Sequence, residues 1–238
     1  MLMIRNRGFT LIELMVSLLL GLIVLGGVMG VFVSTYQANS QNIKAIRLNE
    51  EMRAIVGLMS RDVRRAGIRG FTWNVTSVNW YSTYQFGTTG TNWVISRYNG
   101  AAPANSCALF SYDSDGDDVV DNEDQFGYRL NPINGAVEAY RFVSAGQWKC
   151  DGTGTNWTAI TDPKLLWVQS LSFTATTEPG LAGIIVRTVV VNMRAATNTR
   201  STTPSQNITA ADCNNPSKVD IVCRQVQEKI RVRNDPLI

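Results

Sequence analysis

The apolar positions of this chain fall into two regimes that meet near residue 70. From Phe9 to Val33 run 25 residues in which Glu13 is the only charge and Thr10 and Ser17 the only hydroxyl side chains. Such a run is long enough to cross a bilayer as a helix. Apolar residues then recur at Ile43, Ile46, Met52, Ile55, Val56, Met59 and Val63, at spacings of three, four and seven, which is one stripe on an otherwise polar helix. No proline occurs before Pro103, so nothing in this stretch forces a break. Arg61, Arg64 and Arg65 crowd the last turn, where cations suit the helix dipole, and Gly67 and Gly70 supply the stop. The pattern predicts a continuous helix from Phe9 to about Ala66, roughly 85–90 Å long at 1.5 Å per residue. Gly21, Gly26, Gly27 and Gly30 lower helix propensity in its first half; they suit either close helix packing or a segment able to stretch.

Beyond Gly70 the period changes. Short runs rich in Val, Ile, Thr and aromatics alternate with Gly, Asn and Pro, and predict strands over Val75–Tyr81, Trp93–Tyr98, Ala108–Tyr112, Ala136–Val143, Leu165–Thr174, Ile184–Met193 and Val226–Arg233. The Thr/Asn/Ser-rich stretch Ala195–Ala211 reads as an exposed loop. The expected fold class is α+β: one long N-terminal helix, its first half transmembrane, packed on a mainly antiparallel β-sheet head.

Composition narrows the chemistry. The chain has no histidine, which removes His-dependent triads, His-ligated metals and the commonest general base. No nucleophile elbow or phosphate-cradling glycine loop is present either, so an enzyme has little to stand on. The net charge is +3, or +1 without Arg5 and Arg7, and no nucleic-acid partner is expected. Cys107, Cys150, Cys213 and Cys223 show no CxxC spacing. Behind a membrane-targeted N-terminus, four cysteines read as two disulfides in an oxidising compartment. Of the three pairings we favour Cys107–Cys150 with Cys213–Cys223, because the latter closes a short polar loop. The six tryptophans fit a head core and its edges better than a sugar-binding face.

A secretory signal places its small-residue cleavage site after the apolar core. Here the order is reversed: Arg5 and Arg7 lie against Gly8, and the apolar run begins at Phe9. A cut at Gly8 removes only a basic leader and leaves the hydrophobic helix attached. The run Gly8-Phe9-Thr10-Leu11-Ile12-Glu13 resembles the signal of type IV prepilins and pseudopilins. The resemblance implies cleavage after Gly8 by a membrane aspartyl peptidase and methylation of the new N-terminal residue, Phe9. It also implies a partner for Glu13, whose charge is costly inside a bilayer: the N-terminal amine of a neighbouring subunit, a pairing that rewards the correct axial stagger during assembly. Without the flanking motif, Glu13 could equally snorkel to the headgroups. The implied organisation is a leader over 1–8, a membrane and filament-core half-helix over 9–33, an amphipathic half-helix over 34–66 and a β-rich head over 67–238.

The most site-like constellation in the head is Asp113-Ser-Asp115-Gly-Asp117-Asp118-Val-Val-Asp121-Asn-Glu-Asp124. Counted from Asp113, acids fall at positions one, three, five, nine and twelve, and Val119 at position seven could offer its carbonyl. The spacing resembles the calcium loops of EF-hands and dockerins, in which oxygens wrap a hard cation. It departs from them twice: Asp118 stands where glycine is expected, with Gly116 two residues earlier, and Asp124 replaces the longer Glu. The plain alternative is a solvated acidic turn, against which stands the mutual repulsion of its carboxylates. A structural Ca2+ held by Asp113, Asp115, Asp117, Val119, Asp121 and Asp124 is the expectation.

Over residues 5–70, and especially Met52–Gly70, the chain is similar to PilW-type minor pilins; in the head only Tyr112–Leu130 adds to the likeness. The resemblance implies a minor pilin that helps to initiate or prime a type IV pilus at or near its tip. The expected partners are the prepilin peptidase/methyltransferase, other minor and major pilins and a tip adhesin. The expected location is the inner membrane with the head in the periplasm, then the pilus fibre. A J-like minor pseudopilin of type II secretion shares signal, helix and size, and stands as the alternative.

Overall fold

The computed structural model describes residues 8–67, 94–96, 102–117, 123–141, 149–150, 156–179, 185–198, 208–218 and 220–232. Arg5, Arg7, the expected strand Val75–Tyr81, four of the tryptophans (Trp73, Trp80, Trp93 and Trp148), and Asp118 to Asn122 lie outside the described residues. The chain divides into two compact units, Met1–Ile43 and Lys44–Ile238.

Helix α1 (Leu11–Arg65) begins in the first unit. It is the one helix among the described residues long and apolar enough to cross a membrane, with a mean hydropathy of 2.6 in its most apolar window and none of that window buried. From Phe9 to Val33 every large apolar side chain is exposed.

In the second unit the same helix buries Leu48, Met52, Ile55, Val56, Met59 and Val63. Ile43 and Ile46, expected in that stripe, are instead 53% and 54% exposed. The cause is angular: at 3.6 residues per turn, Ile46 and Ile43 lie about 120° and 180° around the helix from Met52. Leu48, absent from the expected stripe, lies only about 40° away and takes its place in the core.

Among the described residues all strand pairs are antiparallel. One sheet runs β1-β2-β3-β4-β5: Val94–Ser96, Cys107–Ser111, Gln125–Asn131, Ala136–Arg141 and Trp157–Ala159. The other runs β6-β7-β8: Trp167–Pro179, Ile185–Asn198 and Ile221–Arg231. The layout is the expected α+β one, with the strands shared between two sheets. β3 and β5 were not foreseen, and β7 runs on to Asn198, into a stretch expected to be loop. Thr197 is buried and donates its hydroxyl to Leu165 O at 2.8 Å, so a polar residue there serves the strand. Within the same stretch Ala210–Cys213 forms a short helix, α2, closed by a capping box between Thr209 and Asp212. β8 starts at Ile221, five residues before the expected Val226.

One core joins α1 to both sheets through Met52, Met59, Phe110, Leu130, Phe173 and Ile230. Three polar ties fasten the end of the helix. Buried Asp62 accepts the Tyr128 hydroxyl at 2.6 Å, Gly67 N donates to Ser111 O at 3.0 Å, and Arg64 reaches Glu228 at 3.4 Å. Arg65 lies over the Tyr112 ring, 5.9 Å from its centroid. Burial, reinforced by the hydrogen bond to Asp62, pushes the Tyr128 hydroxyl far above its ordinary range, and burial beside Asp62 raises Tyr112. In the five-stranded sheet, Arg129 pairs with Glu138 at 2.6 Å and lies over the Trp157 ring at 4.2 Å.

Disulfides join Cys107 to Cys150 and Cys213 to Cys223. Closing sequence separations of 43 and 10, they restrict the unfolded chain by about 4 and 3 kcal/mol in a loop-entropy account.

Candidate functional site

Two regions carry the residues singled out by sequence. The first is the entry to α1. Gly8 and Phe9 precede the helix and are exposed, Phe9 to 84%. Among the described residues nothing lies within 4 Å of where a Cβ on Gly8 would stand. Both residues of the Gly8–Phe9 peptide are thus exposed, and a larger side chain at Gly8 meets no obstacle among the described residues.

Glu13 sits in the first turn and reaches back. Its Oε2 accepts the Thr10 N–H and the Thr10 hydroxyl, each at 3.2 Å, while Thr10 Oγ1 accepts the Glu13 N–H at 3.4 Å. This is a capping box: two helix-end donors find partners, and the carboxylate lies at the positive end of the dipole. Thr10 is the residue that the motif reading passed over. The signal that finds it is in plain view, a Thr three residues before a Glu at the start of an apolar run. The arrangement gives the lone acid of the run a hydrogen-bonded place.

The second region is the turn between β2 and β3. The strands pair from Cys107↔Arg129 to Ser111↔Gln125, and Tyr112 N donates to Asp124 O at 3.2 Å before the chain opens into the acidic loop. Backbone amides then fasten the carboxylates. Asp113 Oδ1 accepts Gly116 N–H at 2.6 Å, Asp115 Oδ1 accepts Asp117 N–H at 3.2 Å, and Asp124 Oδ1 accepts Ser114 N–H at 2.7 Å. Gly116 takes φ +85°, which a side chain would strain. The positive-φ glycine of this turn therefore stands at loop position four, before the position where calcium loops carry theirs.

Asp113, Asp115 and Asp117 each place one carboxylate oxygen within 4.8 Å of the others. Oxygens so spaced can share one ion at the 2.3–2.6 Å typical of calcium. Asp124, only 1% exposed, closes the base of the loop through Ser114 and stands outside that three-carboxylate group. Val119 and Asp121 lie outside the described residues.

Comparison with known families bears on the first region directly. Residues 3–29 match the prokaryotic N-terminal methylation motif, which takes in Gly8, Phe9, Thr10 and Glu13. Residues 41–221 match the family described as prepilin peptidase-dependent protein B. No curated protein and no solved structure matches the chain. An exposed Gly-Phe bond, a capped helix whose apolar first half holds one acid, an α+β head and these two matches together describe a type IV pilin-like prepilin. The second match spans well over half of the sequence, and the chain belongs to the prepilin peptidase-dependent protein B family.

Proposed function

We propose that this protein is a minor pilin of the PilW type that is cleaved after Gly8, methylated at Phe9, and then helps to prime a type IV pilus at or near its tip. The observation that carries the reading is the exposed Gly8–Phe9 bond set against a capped apolar run, Phe9–Val33, in which Glu13 is the only charge. Cleavage there frees an amine on Phe9 beside the only acid in the run. Glu13 then supplies the charge that a neighbouring subunit's amine must meet, and a misplaced subunit leaves both charges unpaired in an apolar setting. The role is structural and not enzymatic. Its partners are the prepilin peptidase/methyltransferase, the other minor and major pilins and a tip adhesin. The subunit waits in the inner membrane with its head in the periplasm, where both disulfides are at home.

The acidic loop is proposed to hold a structural Ca2+. Support comes from the three clustered carboxylates and from their amide-fastened geometry. Asp113, Asp115 and Asp117 would supply oxygens, with Val119 and Asp121 as the further ligands suggested by spacing. Asp124, given the same role by spacing, would instead brace the loop from behind. A bound dication would offset repulsion in the turn and stiffen the junction of β2 and β3.

The deciding experiment is a clean deletion of the gene, scored for surface pili, twitching and export of secreted enzymes. Lost piliation with intact secretion is expected. Lost secretion with intact pili would transfer the subunit to a type II secretion pseudopilus.

A further inference from the structure

The two disulfides sit in different settings. Cys107 and Cys150 are buried, at 0% and 7% exposure, with Leu109 and Trp157 packed around them. Cys213 and Cys223 are both half-buried. Cys223 lies on β8, the outermost strand of its sheet among the described residues. It completes a row across that sheet, because Trp167 pairs in register with Ala196 and Ala196 with Cys223. The segment Ile208–Lys218, which contains α2, rests on this row as a strap. Buried Ile208 joins Trp167 and Ala196 in one apolar cluster, and Cys213 and Cys223 pack against it.

The strap is tied to the sheet by Ile208, by the Gln169 side chain of β6 and by the disulfide. The capping box of Thr209 with Asp212 and the Asp212–Lys218 ion pair lie within the strap and move with it. Gln169 also bears on one of the two sulfurs. Its Nε2 stands 2.9 Å from Thr209 O, 3.1 Å from Ile208 O and 3.1 Å from Cys213 Sγ, two hydrogens shared among three acceptors. Its Oε1 lies 3.4 Å from the same sulfur. In thiol–disulfide exchange the better leaving sulfur is the one whose thiolate is better stabilised. An N–H beside Cys213 Sγ supports negative charge there, and Oε1 can accept the proton of the thiol that follows. Among the described residues no side-chain donor reaches Cys223 Sγ.

We propose that Cys213–Cys223 is an exchange site for a dithiol oxidoreductase, whose opening frees the Ile208–Lys218 strap while Cys107–Cys150 stays closed. A thiolate of the dithiol attacks Cys223 Sγ, forming a mixed disulfide. The bond to Cys213 breaks, and its electron pair leaves on Cys213 Sγ, which takes a proton from water. The second thiol of the dithiol, losing its proton, then displaces Cys223, which leaves as a thiol. Two electrons and two protons have passed to this chain, and the dithiol has become a disulfide. The proposal depends neither on cleavage at Gly8 nor on calcium, so it fails separately from those readings.

The test uses full-length chain in detergent with a reduced thioredoxin-type protein, then alkylation and peptide mass spectrometry. Well below the unfolding temperature, Cys213 and Cys223 should label at least about tenfold faster than Cys107 and Cys150. A thioredoxin-type protein lacking its second cysteine should be trapped on Cys223 over Cys213 by about tenfold. Q169L should bring that ratio near one, a change that loss of a merely structural contact would not produce. Trypsin should cut after Lys218 in the reduced protein, and in C213A/C223A without reductant, far faster than in the oxidised wild type. The proposal is overturned if Cys213–Cys223 stays closed or opens no faster than Cys107–Cys150. Trapping on Cys213 or evenly on both, a ratio unchanged in Q169L, or equal cutting at Lys218 in oxidised and reduced protein would overturn it as well.

Discussion

Asp62 and Tyr128 meet at the last turn of the helix, within the head, and the energetics of one hydrogen bond there can be read individually. Tyr128→Phe leaves the Asp62 carboxylate buried without the hydroxyl that donates to it, at an expected cost of about 1–3 kcal/mol. The pair also sets a pH dependence. Tyr128 keeps its proton in the folded state well above the pH 10.0 at which it would ionise unfolded, and Tyr112 is raised in the same sense. Above that pH the unfolded chain binds fewer protons than the folded one, so stability falls as pH rises. The decline should begin near pH 10 and reach, for Tyr128 alone, about 1.4 kcal/mol per pH unit at its steepest. Thermal unfolding over an alkaline series checks this: Tyr128→Phe should be less stable at neutral pH yet show a shallower alkaline slope. Equal slopes in the two proteins would refute the assignment. Gly135 offers a second single-residue test. It holds φ +62°, and a Cβ there would fall inside the Trp167 indole. Gly135→Ala should cost about 2–4 kcal/mol from overpacking and backbone strain together, seen as a lowered unfolding midpoint.

At the scale of elements, the acidic loop invites a direct measurement. Calorimetry with calcium should show heat that disappears in D113A/D117A, whereas silence in wild type would leave only an acidic turn. The loop also marks the limit of what the pattern of residues tells. Acid spacing points to a calcium loop here, and Asp113, Asp115 and Asp117 do cluster. It could not reveal that Asp124 spends an oxygen on Ser114 N–H, because backbone hydrogen bonding leaves no trace in spacing. The long helix was legible because 3.6-residue periodicity and the absence of proline speak over dozens of positions. Its facing was less so: Ile43 and Ile46 satisfy the spacing locally and still lie on the far side from Met52. β3 escaped notice though legible in principle, since Phe126, Tyr128 and Leu130 alternate with Gly127, Arg129 and Asn131 at the period of a strand; glycine, arginine and asparagine are simply poor strand formers by composition. Gly127 is required there by close approach to Leu109, Ala108 and Trp157, and Arg129 is paired with Glu138. The end of β7 escaped because Ala195, Ala196 and Thr197 have loop-like composition but are buried against neighbouring strands.

For the whole molecule, the account is of a subunit in two parts with separate tasks. The apolar half of α1 offers an unburied surface with one capped acid, and the head closes on its own core with two disulfides. Glu13→Ala should leave membrane insertion intact and impair incorporation into filaments, measured as the ratio of filament-borne to membrane-borne subunit. Incorporation equal to wild type would remove the charge-pairing argument. The central claim, however, concerns processing, and the most direct measurement is mass spectrometry of the N-terminal peptide of protein recovered from cells. The account requires a peptide beginning at Phe9 and carrying one added methyl group, with unprocessed chain accumulating when Gly8 is replaced by a bulky residue. An N-terminus still at Met1, or one created after the apolar run, would contradict it.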